Sequence, residues 1–291
     1  MGHTLVRHHP VTAFARPAGD PARARDWAEI QERMLVPLYE AVYEHLEVGG
    51  RSRVLGLGCG SGLALLMAAR RGAQVTGVDT DGARLALARR RLSPDPGDGR
   101  HASLGDGVPG ADIQLVEGGP GDAADPARAR FDVITAFQPI GCTAGDSEGL
   151  VPALEAAVPL AARGSAVVLA GWGPPERCAT ATVLRVASRL TERLRTAGGW
   201  RPPRRDDLEE VATRAGLNPD GSGRVACPFG YADTDSAARG LLSTGLFDAA
   251  IRATDQKQVE KEIAEALHPY VRSDGTVWMP NVFRYLIART P

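Results

Sequence analysis

Lysine is nearly missing from this 291-residue chain: only Lys257 and Lys261 occur, and the other 32 of its 34 basic residues are arginine. Set against 35 acidic residues, they leave a net charge of −1. That balance excludes the basic excess on which non-specific nucleic-acid binding and attachment to anionic membrane surfaces depend. The arginine bias, with abundant Ala, Gly and Pro, reads as the codon usage of a GC-rich bacterial genome. Cysteine is scarce as well. Cys59, Cys142, Cys178 and Cys227 stand far apart with no C-x-x-C pair, so neither a disulfide framework nor a zinc site is expected, and no other metal-ligand cluster is visible. No apolar run reaches the roughly 18 residues of a membrane span, and Met1 to Asp20 lack the apolar core of a signal peptide. A reduced, soluble, cytoplasmic protein is the expectation. The remaining composition, 43% hydrophobic and 24% charged, suits a globular chain long enough to bury a sizeable core.

Periodicity divides the chain into four parts. Residues 1–50 read as an arm followed by a helical lid: residues 1–20 show no period, whereas Trp27, Ile30, Met34, Leu38, Val42 and Leu46 recur at helical spacing, with Pro37 expected to divide or kink the helix. Residues 51–230 alternate strands (53–57, 74–78, 112–117, 131–137, 165–172, 223–228) with helices (62–71, 82–92, 148–162, 176–196, 206–215), the signature of a parallel sheet covered on both faces. The stretch 93–111 reads as a long loop. Residues 231–276 form a mostly helical cap insertion, and 277–291 return as a final strand.

The chemistry concentrates in Val54-Leu55-Gly56-Leu57-Gly58-Cys59-Gly60-Ser61-Gly62 and, seventeen residues on, Asp79. An apolar strand entering a glycine turn and then a helix brings backbone N–H groups close to a ligand, because no Cβ intervenes at Gly58, Gly60 or Gly62. An acid ending the next strand can accept both hydroxyl protons of a ribose. Its plain alternative is a helix N-cap, a role for which Asp81 competes.

These motifs resemble those of the class I S-adenosylmethionine-dependent methyltransferases. Further resemblance lies in Phe131-Asp132-Val133-Ile134, in Ala161 to Leu169, and in the outer segments Asp26 to Glu32, Gly171 to Cys178 and Phe283-Arg284-Tyr285, which are similar to small-molecule methyltransferases of actinobacterial type. The resemblance implies an α/β, Rossmann-like class I methyltransferase fold: a seven-stranded, mostly parallel sheet with an N-terminal helical lid and a helical cap insertion. It implies S-adenosyl-L-methionine as cofactor, bound by Gly58, Cys59, Gly60, Asp79, Thr80 and Phe137. Around adenine two registers stay open after the third strand, Gly119 by spacing and Asp122-Ala123 by residue type, the latter preferred. The implied activity is methyl transfer to a small organic acceptor, in bacterial secondary metabolism. A dehydrogenase is disfavoured, since its loop would read G-x-G-x-x-G.

One position departs from the family. Gly56 stands where an acid usually helps hold the methionine ammonium, a charge-assisted contact contributing about 1.5–3 kcal/mol. That keeps two alternatives alive: a non-methylating reaction such as cyclisation or rearrangement on the same scaffold, or a non-catalytic binding protein. For a general base the candidates are His268, first, and His9, with His8 behind, because they fall in the cap and the arm. Trp27, Tyr39, Tyr43, Phe137, Trp172, Phe229, Tyr231 and Phe247 are candidates to line an acceptor pocket or, at helical spacing, simply the core. The arm 1–20 could reach a partner subunit, which leaves a homo-oligomer open.

Overall fold

The computed structural model describes residues 19–92, 112–125, 127–143, 145–192 and 201–291. The loop expected over 93–111, and with it His101, lies outside the described residues, as do His8 and His9.

Among the described residues nine strands run in chain order: β1 (Arg53–Leu57), β2 (Gln74–Asp79), β3 (Ile113–Glu117), β4 (Phe131–Ile140), β5 (Ala161–Trp172), β6 (Asn218–Ala226), β7 (Phe229–Tyr231), β8 (Val277–Met279) and β9 (Val282–Arg289). Seven make one sheet in the order β3-β2-β1-β4-β5-β9-β6, and β7 pairs with β8 apart from it. Pairing is parallel from β3 to β5, while β9 runs antiparallel to both its neighbours. Because the order reverses at β1, the loops leaving β1 and β4 diverge and open a crevice at the carboxyl edge of the sheet, where ligands of such folds bind.

Apolar alternation along the strands feeds two cores. Val133, Val168, Tyr285 and Ile287 face one side, and Ile134, Val167, Leu169, Leu286 and Ala288 the other. The second face is covered by α5 (Leu150–Ala157) and α7 (Asp207–Arg214). The first carries α2 (Val36–His45), α3 (Leu63–Arg70), α6 (Thr180–Glu192) and the cap helices α8 (Thr234–Ser243), α9 (Asp248–Ala253) and α10 (Gln256–Leu267). Between α3 and β3 lies α4 (Gly82–Leu92).

Most expected elements are present, with altered ends. The helix expected over 148–162 stops at Ala157, and after a 3-10 turn the chain is already extended from Ala161. The strand expected at 223–228 begins at Asn218, because pairing with β9 orders a run of small and polar residues that has no strand pattern of its own. The final strand is split: Val277–Met279 pairs with β7 and closes the neck of the cap, and Val282 onward enters the main sheet.

The N-terminal helix departs most from expectation. It starts as α1 (Pro21–Asp26), widens into a π turn over Trp27–Gln31, tightens into a 3-10 turn over Glu32–Leu35, and resumes as α2 with Pro37 in its first turn. The π turn bonds Glu32 N–H to the Trp27 carbonyl. Residues five apart are thereby brought onto one face, which a regular helix does not do.

Candidate functional site

The turn after β1 is shaped first by its glycines. Gly58, Gly60 and Gly62 take φ values of 59°, 58° and 79°, left-handed conformations that cost other L-residues about 1–2 kcal/mol each. Cys59 N–H donates to the Val78 carbonyl at 3.0 Å, tying the turn to the end of β2. Asp79, at that end, completes the clip: its Oδ2 accepts from Gly60 N–H at 2.7 Å and its Oδ1 from Asp81 N–H at 2.8 Å. Asp81 meanwhile caps α4, accepting from the N–H groups of Ala83 and Arg84 at 3.1 Å. Asp79 therefore faces the crevice without serving as the helix cap. Burial raises its pKa above the ordinary 3.8, against the opposing pull of the two N–H bonds and the Arg84 charge.

Gly56 has a local explanation. It pairs in register with Gly77 on β2, and the two glycines leave a notch that Leu65 of α3 fills. A Cβ at position 56 would lie 3.0 Å from Leu65 Cδ2, and one at 77 would lie 2.4 Å from Leu65 Cδ1 and 2.9 Å from Cys59 Sγ. The place of an acid at 56 is thus taken by a leucine that is 1% exposed. Gly56→Asp is expected to lower stability by about 1–3 kcal/mol through overpacking. Adding Leu65→Ala, itself destabilising by about 2–5 kcal/mol, should then cost less than it does alone. Denaturant midpoints of the two single variants and the double variant measure that coupling.

Over the glycine turn lies a roof. A Cβ at Gly60 would sit 3.0 Å from Trp27 Nε1 and 3.2 Å from Glu32 Oε1. The π turn is what brings both side chains there. Glu32, 2% exposed, accepts through Oε2 from Ser61 Oγ and from Arg91 Nη1, the latter at 2.6 Å. Arg91 also donates to the Ser61 carbonyl at 2.8 Å. The Trp27 ring lies on the Arg84 guanidinium, 4.4 Å from centroid to Cζ, and Arg84 Nη2 donates to the Ser243 carbonyl of α8 at 2.8 Å.

The roof is joined to the cap. Tyr231 O–H donates to Gln31 Oε1 at 3.0 Å, Arg23 pairs with Asp248 at 2.7 Å, and Gly240 lets α8 approach Ile30 so closely that a Cβ would stand 2.9 Å from Ile30 Cγ2.

Beneath the roof is a cavity of about 30 Å³, lined by Gly56 to Gly60 together with Trp27, Glu32, Leu35, Tyr39, Arg84, Phe137 and Gln138, among others. Tyr39 and Phe137 pack there as a tilted pair, with centroids 4.7 Å apart and ring planes at 52°. Burial pushes the Tyr39 phenol well above its ordinary value, with Glu32 adding to it, and raises the Cys59 thiol likewise, with Asp79 and Glu32 adding. Both groups are protonated at neutral pH, so neither offers an anion that would compete for an electrophile.

The expected site residues separate accordingly. Gly58, Cys59, Gly60 and Phe137 line the cavity, and Asp79 bonds its edge. Thr80 is exposed beside it. Asp122 is turned back on its own loop, accepting from Gly119 N–H at 2.8 Å, and Ala123 is buried in the core on the opposite face of the sheet. Gly119, the other adenine register, donates its N–H to Asp122, and the preceding Gly118 N–H donates to the Asp79 carbonyl at 3.0 Å. His268 is exposed, in a 3-10 turn after α10, and is not among the residues lining the cavity. Among the aromatic candidates, Trp27, Tyr39 and Phe137 reach the cavity, whereas Tyr43, Phe229, Tyr231 and Phe247 are core. Glu32, Arg84 and Arg91 belong to the site although their sequence spacing gave no sign of it.

Residues 54–155 match the family model of a methyltransferase domain. Among solved structures, the BH2331 protein of Bacillus halodurans C-125 is similar with a TM-score of 0.51 at 14% identity, covering 87% of this chain and 98% of that one. The YcgJ protein of Bacillus subtilis gives a TM-score of 0.50 at 14% identity, again over 87% and 98%. At such identity the likeness establishes the fold. No curated protein matches the chain.

Proposed function

We propose that this protein is an S-adenosylmethionine-dependent enzyme that methylates a small organic acceptor in bacterial secondary metabolism, a reading supported by the methyltransferase-domain match over residues 54–155. The observation that carries this reading is the glycine turn clipped to Asp79 at the switch point of the sheet and roofed by Trp27 and Glu32.

The residues present suit the cofactor. The three left-handed glycines leave a cradle that a Cβ at Gly60 would fill, Asp79 offers a carboxylate to ribose hydroxyls, and Trp27 Nε1 is a buried donor with no hydrogen-bond partner among the described residues. When bound, S-adenosylmethionine supplies an electrophilic methyl carbon activated by its sulfonium. What the protein adds is position and exclusion of water. An in-line displacement gains most from holding the acceptor atom about 3–3.5 Å from that carbon, and the packed rings of Tyr39 and Phe137 give the cavity apolar walls for that purpose.

The cavity is bounded by the roof residues Trp27, Glu32 and Leu35 on one side and by the glycine turn on the other. A crevice roofed by Trp27 and Glu32 and walled by Tyr39 and Phe137 supports a small acceptor over a macromolecule. No helix among the described residues is long and apolar enough to cross a membrane.

Calorimetric titration with S-adenosylmethionine and S-adenosylhomocysteine tests the reading: micromolar binding of both is expected, and no binding at millimolar ligand would sink it. Product mass then separates the chemistries. A gain of one methyl group supports transfer, whereas an isomerised product of unchanged mass would point to the non-methylating alternative.

A further inference from the structure

We propose that the acid missing at Gly56 is supplied by Glu32 from the N-terminal π turn, and that Glu32 and Trp27 together hold the amino-acid end of the cofactor. The inference rests on the reading that S-adenosylmethionine binds over the glycine turn.

The two roof side chains differ in what they have left to offer. Glu32 spends Oε2 on Ser61 and Arg91. Its other oxygen, Oε1, receives only a long 3.5 Å approach from Leu63 N–H and faces Gly60. Trp27 Nε1 is buried, faces the same glycine, and has no acceptor among the described residues. An open acceptor on a carboxylate and an open donor on an indole, both aimed at one Cβ-less residue, complement an α-amino acid zwitterion. Glu32 Oε1 accepts from the ammonium, and Trp27 Nε1 donates to the carboxylate. A buried donor left without a partner is costly, so an acceptor arriving with the ligand relieves it.

The π turn has a purpose on this reading. In a regular helix Trp27 and Glu32 would point apart; the i to i+5 bond from Glu32 N–H to the Trp27 carbonyl aligns them. Arg91 has one too. It neutralises Glu32 through Oε2 while the site is closed, and so keeps a buried carboxylate tolerable without occupying the oxygen that faces the ligand. Leu65, filling the notch at Gly56 and Gly77, crowds any side chain that β1 would carry at position 56. The contact therefore comes from the roof.

The test uses ligands that differ only at the amino-acid end. By calorimetry, Glu32→Gln, which preserves the side chain's length and its bond with Ser61, should weaken S-adenosylhomocysteine by about ten- to a hundredfold. It should leave 5′-methylthioadenosine, which lacks the amino acid, at wild-type affinity. Trp27→Phe should weaken S-adenosylhomocysteine by about tenfold and leave its decarboxylated analogue unaffected. If Glu32→Gln does not fold, Glu32→Asp, with its charge drawn back by one methylene, should show the same selective loss in smaller measure. Equal loss on both ligands, or loss on neither, overturns the assignment, since a residue that only locks the roof affects every adenosine ligand alike. A wild type that binds none of these ligands overturns the cofactor reading itself.

Discussion

Asp79→Asn is expected to lower the affinity for S-adenosylhomocysteine by about a hundredfold or more, although it is nearly isosteric. Both carboxylate oxygens of Asp79 accept a backbone N–H, from Gly60 and from Asp81. An amide has one oxygen and one NH₂, so one of these N–H groups must face a donor. Whichever it is, the glycine turn or the start of α4 loses its tether, and the ribose loses an anionic acceptor as well. Asp79→Ala should be at least as weak, since both N–H groups are then unpaired. Calorimetry on each variant measures the loss, and binding within a fewfold of wild type would mean that the acid plays no part in holding the ligand.

The pH response carries its own sign. Burial raises the Asp79 pKa above the ordinary 3.8, so on acidification the wild-type carboxylate is lost at a higher pH than an unperturbed one, and affinity falls from there. Stability moves the other way. A carboxyl with a raised folded-state pKa favours the folded state below the ordinary 3.8, and that contribution is lost as pH rises through the raised value. Acid therefore weakens ligand binding at Asp79 without that residue promoting unfolding, and Asp79→Asn should lack both components.

Gly62→Val should lose about 2–5 kcal/mol of stability. Its φ of 79° is costly for any side chain and more so for a β-branched one. A Cβ there would also lie 3.0 Å from Ala88 Cβ and 3.1 Å from Leu92 Cδ1, forcing α4 away from α3. Urea unfolding followed by circular dichroism would register the loss as a lower midpoint at unchanged slope. Binding should fail too, because Arg91, on the same helix, holds Glu32 in place. An unchanged midpoint would show that α4 can move aside freely.

The two glycines most easily confused in the sequence, 56 and 60, turn out to serve opposite ends. Gly60 leaves room for the roof side chains Trp27 and Glu32. Gly56 leaves room for Leu65, and no local pattern distinguishes the two uses. Likewise the split of the last strand at Pro280-Asn281 could not be read from Val277 to Arg289, which is apolar throughout much of its length. Which half pairs with β7 is a long-range choice. Asp122 and Ala123 show the same limit: that Asp122 accepts from the Gly119 N–H of its own loop while Ala123 is buried in the core is set by the 3-10 turn and its packing, not by residue type.

What the sequence by itself determined is whatever depends on neighbours in the chain. The strand–glycine turn–helix unit, the acid ending β2, the alternation of apolar residues into two cores and the helical character of the cap all follow from short-range sterics and periodicity. Only the tertiary structure decided which side chains meet over the glycine turn. Trp27 and Glu32 stand almost thirty residues or more before Gly60, and on a regular helix they would face different ways. They converge because the cap holds Gln31 and Arg23 from one side, Arg91 holds Glu32 from the other, and a π turn is the backbone shape that satisfies both.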